Sequence, residues 1–391
     1  MEHLATDPRT SLGILGIRNS FEVPFCLIKS LLLNFGRNSN HLNQYLLTFK
    51  TKRRWRTVRD YGLGWTLAFI YLCIVRGEGT IEQGSVQFEF WDSIITSLLM
   101  GPLFGAISGF SHILMMEYGY KQVSLLKLII IRAVYVLLFL ISMIVLAFTF
   151  YGGEMKLIAF AFEPGSFAIY FYILTVDIFM FGLMQVSMYF GGNNLAKLLT
   201  AKFYTPKEEE RIFMFLDLKS STEHAERLGH IQYSKMIQDC FNDLGAVVEN
   251  ESDVYQYVGD EVILTWKLND GLKNENCLRA LYTFKSQLEK RKDHYQKHYN
   301  CQPEFKAGVH AGMVTVTEVG KYKKEIAYHG DTINTAARIQ EKCNEFSEEL
   351  LISQGLKEKL QANRFEFKAM GSIPLKGKSQ EVMIHAVSNL N

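Results

Sequence analysis

Ile212-Phe213-Met214-Phe215-Leu216-Asp217-Leu218-Lys219-Ser220-Ser221-Thr222 is an apolar run of strand length that ends on a carboxylate and passes into a hydroxyl-rich turn. Tyr255-Gln256-Tyr257-Val258-Gly259-Asp260-Glu261-Val262-Ile263-Leu264 has a related layout, with strands at 254–258 and 262–266 forming a hairpin whose acid sits at the tip. The first run, 211–216, opens on Arg211 and is otherwise apolar, and its composition predicts a short strand buried on both faces. Outward from these, 222–248 shows helical spacing, with Leu228, Ile231, Met236, Ile237, Phe241 and Leu244 on one side. A second helix is predicted over 277–298, with strands at 305–309 and 313–319 separated by His310-Ala311-Gly312. A third helix, 332–344, is opened by Gly330-Asp331. The order β-α-β-β-α-β fits a ferredoxin-like α+β sandwich.

Upstream the composition changes. The 391-residue chain has a net charge of only +2, an average over two unlike halves. Residues 61–190 are almost all apolar, with four stretches at 61–75, 93–116, 129–151 and 168–190. Each approaches the roughly 20 residues that span a bilayer. The first is the shortest, closed by Asp60 and Arg76, and the second contains Pro102. Lys50, Lys52, Arg53, Arg54, Arg56 and Arg59 precede the first stretch, Lys121 and Lys127 follow the second, and Lys197 and Lys202 follow the fourth. The alternate loops carry only Arg76 and Lys156 beside Glu78, Glu82, Glu89, Glu154 and Glu163. This bias predicts a multi-pass cell-membrane protein with both termini cytoplasmic. Residues 21–35 read as an interfacial helix, Gly191-Gly192-Asn193-Asn194 as breakers, and 195–203 as a short amphipathic connector. The expected division is 1–60 cytoplasmic segment, 61–190 four-helix transmembrane domain, 191–210 connector and 211–391 cytosolic α+β domain.

Asp177 falls in the middle of the fourth stretch, and the reading favoured is a structural hydrogen bond inside the bundle or across a dimer seam rather than ligand sensing. The six cysteines show no CxxC spacing and read as reduced thiols. No cleavable signal peptide is recognisable. The basic residues of 285–297 alternate with acids, as on a solvated helix face, which argues against nucleic-acid binding.

Asp217 and Asp260 are placed to hold hard cations such as Mg²⁺, which take oxygen ligands and share them with substrate phosphates. The Ser221 and Thr222 hydroxyls and the N–H groups at a helix start suit a phosphate. Asn334 and Arg338, four apart, share a helical face on which an amide and a guanidinium can grip a ribose and a phosphoryl group. Singly these features have ordinary readings as a cap, a turn and a solvated face. Together they point to metal-dependent chemistry on a nucleoside triphosphate.

In Phe215-Leu216-Asp217 with Ser221-Thr222, in Val258-Gly259-Asp260, and in Gly330-Asp331-Thr332-Ile333-Asn334 with Arg338, the chain resembles the class III adenylate/guanylate cyclases, in a membrane-anchored bacterial form. Leu375-Lys376-Gly377-Lys378 resembles the late basic loop of that family. The resemblance covers about 205–388. It implies a head-to-tail homodimer in which Asp217 and Asp260 of one chain bind two Mg²⁺, with Mn²⁺ an alternative, while Asn334, Arg338 and Lys376 come from the other. It implies attack of the ribose 3′-oxygen on the α-phosphate with loss of pyrophosphate. The family's two base-reading positions fall on Gln256 and Ala327, in place of the usual Lys and Asp or Thr. ATP is the expected substrate, with GTP or a pyrimidine triphosphate as alternatives. The rival readings are a diguanylate cyclase, which leaves Asn334 and Arg338 unexplained, a non-catalytic nucleotide-binding membrane receptor, and a metal transporter.

Overall fold

The computed structural model describes residues 41–77, 90–116, 125–151, 155–162, 166–189, 203–361, 364–374 and 381–390. The expected interfacial helix at 21–35, the breakers at 191–194, most of the connector, and Lys376 lie outside them.

The apolar half consists of helices α1 (His41–Gly77), α2 (Phe90–Leu114), α3 (Leu125–Tyr151) and α4 (Ser166–Tyr189). Three stretches are long and apolar enough to cross a membrane: Arg54–Arg76, Phe90–Leu114 and Ser166–Met188. In α3 the described apolar stretch, Ala133–Thr149, is shorter. The first helix is much longer than the expected 61–75, because no Gly or Pro interrupts residues 41–60 and the basic run continues the same helix. Tyr61, Trp65, Phe104, Phe139, Met143, Ile173 and Met180 form a small core drawn from all four helices. Large apolar side chains such as Leu67, Leu98, Leu138 and Phe171 point outward. Asp177 is fully buried and accepts a hydrogen bond from Ser108 Oγ at 2.8 Å, so the structural reading of this acid holds.

The second half is built on one sheet. Its strands are β1 (Lys207–Leu218), β2 (Asp253–Val258), β3 (Glu261–Lys267), β4 (Phe305–Val319), β5 (Glu325–His329), β6 (Leu350–Ser353), β7 (Phe365–Ile373) and β8 (Val382–Asn389). They lie in the order β2-β3-β1-β4-β6-β8-β7, with β5 off this path and paired to β4. Neighbours are antiparallel except β4 and β6. Helices α5 (Ser221–Asp243), α6 (Asn276–Lys290) and α7 (Lys292–Tyr299) cover one face, and α8 (Asp331–Phe346) packs on the other.

This two-sided cover explains the unbroken apolar run of β1. Ile212, Met214, Leu216 and Leu218 enter the cluster of α5 and α6, while Phe213 and Phe215 enter that of α8. Each such side chain contributes about 1.5–3 kcal/mol on full burial. Helix α6 presents Cys277, Leu278, Leu281, Phe284 and Leu288 to the same sheet, at the spacing of one helical face.

Four expectations are corrected. His310-Ala311-Gly312 does not separate two strands: these residues pair with Phe213, Ile212 and Arg211, and β4 is continuous. Lys207–Glu210 is strand rather than lead-in, because it pairs with Met313–Val316. The helix expected over 277–298 is two helices. Arg291 Nη1 donates to Asp243 Oδ2 at 2.8 Å and Tyr295 Oη donates to the same oxygen at 2.7 Å, turning α7 onto α5. The helix expected over 222–248 ends at Asp243 and passes into a 3₁₀ turn, Leu244–Asn250.

Candidate active site

Asp217 stands one residue before the end of β1, where the register sets it opposite Glu261 on β3 and Lys306 on β4. Lys306 Nζ lies 3.1 Å from Asp217 Oδ2, and Gln340 Nε2 of α8 donates to the same oxygen at 2.9 Å. Lys306 is buried and also donates to Asn344 Oδ1 at 2.9 Å. Both donors go to Oδ2. Among the described residues no hydrogen bond is made to Oδ1, which leaves that oxygen free to meet a cation.

Asp260 is presented by a two-residue turn, since Val258 pairs with Glu261. Gly259 has φ +63°, while Asp260 is not in the left-handed region. A hairpin turn with its left-handed residue at the first central position calls for glycine there. Burial, followed by the charge of the nearby Asp260, pushes the Tyr233 phenol up to about 12. Tyr233 follows a break in α5, where Gly229 leaves helical geometry at φ +70° and ψ 164°. Burial, and then the charges of Asp217 and Asp260, push the neighbouring Glu261 carboxyl up to about 7. Asp217, Asp260, Glu261 and Tyr233 therefore share one locality.

These donors fit a hard cation. Asp217 and Asp260 are oxygen ligands in an acidic field, and one of them keeps an oxygen without a hydrogen-bond donor. Among the described residues no group of three or more His, Cys, Asp or Glu forms a ready cage. Mg²⁺ commonly takes one or two carboxylates and completes its shell with water and substrate phosphate.

Helix α5 begins after Ser220, which has φ +52° and makes no side-chain cap. Ser221 is half-buried and Thr222 exposed. On α8 the residues Thr335, Ala336, Ile339, Gln340 and Cys343 are buried. At 100° per residue, Asn334 and Arg338 fall on the opposite side. Asn334 is exposed, and Arg338 pairs with Glu341 at 3.9 Å. One chain thus gathers the two aspartates but does not bring Asn334 and Arg338 onto them. Gln256 is exposed on the edge strand β2, just after a bulge between Val254 and Gln256. Ala327 is half-buried on β5 opposite Thr317.

Lys306, Gln340, Glu261 and Tyr233 were not singled out in the sequence. A lysine in an apolar strand was the visible signal for Lys306. The other three become visible only once strand register and helix packing are known.

Residues 203–389 match the catalytic domain of adenylate and guanylate cyclases. Adenylate cyclase 2 of Rhizobium meliloti (strain 1021) is 30% identical over 204 residues, 52% of this chain and 56% of that protein. The chain thus spans about half the length of this curated relative. A bacterial light-regulated adenylyl cyclase aligns with a TM-score of 0.49 at 16% identity, covering 58% of this chain and 67% of that one. The adenylyl cyclase CyaB of P. aeruginosa aligns with a TM-score of 0.42 at 18% identity, covering 47% and 96%.

Proposed function

Residues 203–389 belong to the class III adenylate and guanylate cyclase family, and from that premise we propose that the protein is a membrane-bound adenylate cyclase whose site is shared by two copies of the chain. It converts ATP to 3′,5′-cyclic AMP and pyrophosphate. The observation that carries this reading is the division of α8. Its inner face reaches Asp217 through Gln340, while Asn334 and Arg338 lie on its outer face, available to a second chain.

In the proposed site Asp217 and Asp260 would hold two Mg²⁺, or Mn²⁺, which would supply a lowered pKa at the ribose 3′-hydroxyl and neutralise phosphate charge. Lys306 and Gln340 fix the Asp217 carboxylate by its Oδ2 edge. Ser221, Thr222 and the N-terminal N–H groups of α5 cradle the phosphates. Asn334 of the second copy orients the ribose, and its Arg338 meets the negative charge that grows on the α-phosphate in the transition state. Lys376 binds the polyphosphate. Gln256 and Ala327 border the base. The order β2-β3-β1-β4 is read as a ferredoxin-like core. The apolar helices form a four-span anchor with both termini and the catalytic domain on the cytoplasmic side.

Ala327 favours a second reading. Its side chain offers the base no hydrogen bond, so a guanylate or pyrimidine nucleotide cyclase of the same fold is the alternative. Purified protein incubated with each of the four nucleoside triphosphates, with products identified by mass, tests both. The account expects 3′,5′-cyclic AMP from ATP. Cyclic product from another triphosphate alone selects the second reading. A dinucleotide product contradicts the mononucleotide cyclase, and no product from any triphosphate favours a binding receptor.

A further inference from the structure

Phe203 is 3% exposed, although the next residue, Tyr204, is 78% exposed. Its carbonyl accepts a hydrogen bond from the Glu318 amide at 2.9 Å, and the Glu318 carboxylate pairs with Lys324 at 2.6 Å. The Phe203 ring enters the cluster on the α8 face, with Phe213 and Phe215 of β1, Ile263 of β3, Val316 of β4 and Ala336 of α8. The partly buried rim of this cluster is Tyr255, Ile326, Tyr328, Ile333 and Ala337. Every rim residue is a sequence neighbour of a candidate site residue. Tyr255 precedes Gln256, Ile326 and Tyr328 flank Ala327, Ile333 precedes Asn334, and Ala337 precedes Arg338. Successive residues project to opposite faces of a regular strand and 100° apart on a helix, so the seats of Ile326, Tyr328, Ile333 and Ala337 fix the directions of Ala327, Asn334 and Arg338.

Strand β5 depends most on this cluster, because among the described residues it pairs with β4 alone. Tyr328 of β5 packs edge-on against Tyr255 of β2, with ring centroids 5.0 Å apart, and against Phe213 at 5.5 Å. The main core of the domain, around Trp266, Phe284 and Phe305, is a separate cluster that does not contain Phe203.

We infer that Phe203 is a positioning residue, an aromatic wedge by which the chain entering the catalytic domain sets the placement of β5 and the first turns of α8. It acts through the rim residues on Ala327, Asn334 and Arg338. Its effect on turnover rests on the cyclase reading, and its effect on β5 and α8 does not.

The test uses the full chain in lipid nanodiscs, as wild type, Phe203→Ala and Phe203→Leu, with amide hydrogen exchange and cyclase kinetics on each. In Phe203→Ala, exchange over 325–338 rises at least about fivefold while 278–284 in α6 is unchanged. The kcat falls about tenfold with KM within about twofold, as expected when groups acting in the transition state are displaced. Phe203→Leu, which keeps the apolar volume, retains most of both. Unchanged exchange over 325–338 overturns the inference, and so does a rise shared equally by 278–284, which marks a merely structural residue. If the wild type makes no cyclic nucleotide, the cyclase reading falls, and the exchange pattern alone decides the role of Phe203.

Discussion

Lys306 Nζ stands 3.1 Å from Asp217 Oδ2 across the β1–β4 register, and the lysine is buried while the aspartate is partly open. The contact gives Asp217 a fixed direction, with Gln340 as the second restraint. Replacing Lys306 by Met keeps the length and burial of the stem and removes the charge. A hydrogen bond to a charged group contributes roughly 1.5–3 kcal/mol. Lys306→Met is therefore expected to lower kcat/KM by about tenfold to a hundredfold, and steady-state kinetics on the purified protein checks this. Undiminished kcat/KM would show that Asp217 needs no such restraint.

Gln256 is the one candidate base reader with a side chain able to donate and accept hydrogen bonds. It follows the β2 bulge, opposite Ile263 of β3, and is exposed. Gln256→Ala is expected to shrink the ratio of kcat/KM for ATP over GTP by about tenfold, the scale of one lost polar contact. A ratio that stays the same assigns base reading elsewhere.

The helix pair α5–α7 makes stability pH-dependent. Burial works against the Asp239 carboxylate, but contacts with His294 and Tyr299, both at 2.7 Å, outweigh it and hold Asp239 below the usual carboxylate range. A carboxyl with a lowered folded pKa contributes its stability in full above the unfolded value, and that stability is lost as pH falls through the folded one. Below about pH 4, near the ordinary aspartate value, the melting midpoint of the wild type should fall more steeply than that of Asp239→Asn. Parallel curves from thermal melts between neutral and strongly acid pH would contradict the assignment.

Within the membrane half, Ser108 Oγ donates to the buried Asp177. Such bonds between membrane helices measure roughly 0.6 kcal/mol on average and up to about 1.7. Ser108→Ala should lower the unfolding free energy in a detergent titration by an amount in that range. Unaltered unfolding would show that Asp177 is held by its other contacts.

Much of this architecture was legible in the sequence because it rests on local pattern. The period of α6, the glycine turn at Gly259-Asp260 and the unbroken apolar run of β1 each follow from chemistry within a few residues. Features that depend on distant partners were not legible. Gly312 looks like a turn residue until β4 is paired with Arg211, and 277–298 looks like one helix until Arg291 meets Asp243. The same limit applies at the site. Asp217 and Asp260 announce themselves as acids at strand ends, whereas Lys306 and Gln340 gain meaning only from the register that sets them against Asp217. Asn334 and Arg338 could be read as a pair from their spacing. Their position away from the aspartates depends on which face of α8 is buried.

The measurement that bears most directly on the central claim, a site completed by two chains, is complementation. Asp217→Asn and Arg338→Ala are each expected to reduce cyclase activity to background when expressed alone, since every dimer then carries two incomplete sites. Co-expressed in equal amounts, half of the dimers pair the two variants, and each of these has one site with both an intact Asp217 and an intact Arg338. The account predicts recovery to roughly a quarter of wild-type activity, from the symmetry of a two-fold dimer. No recovery, with both variants folded and dimeric, would contradict it, and would mean that Asp217 and Arg338 must act from the same chain.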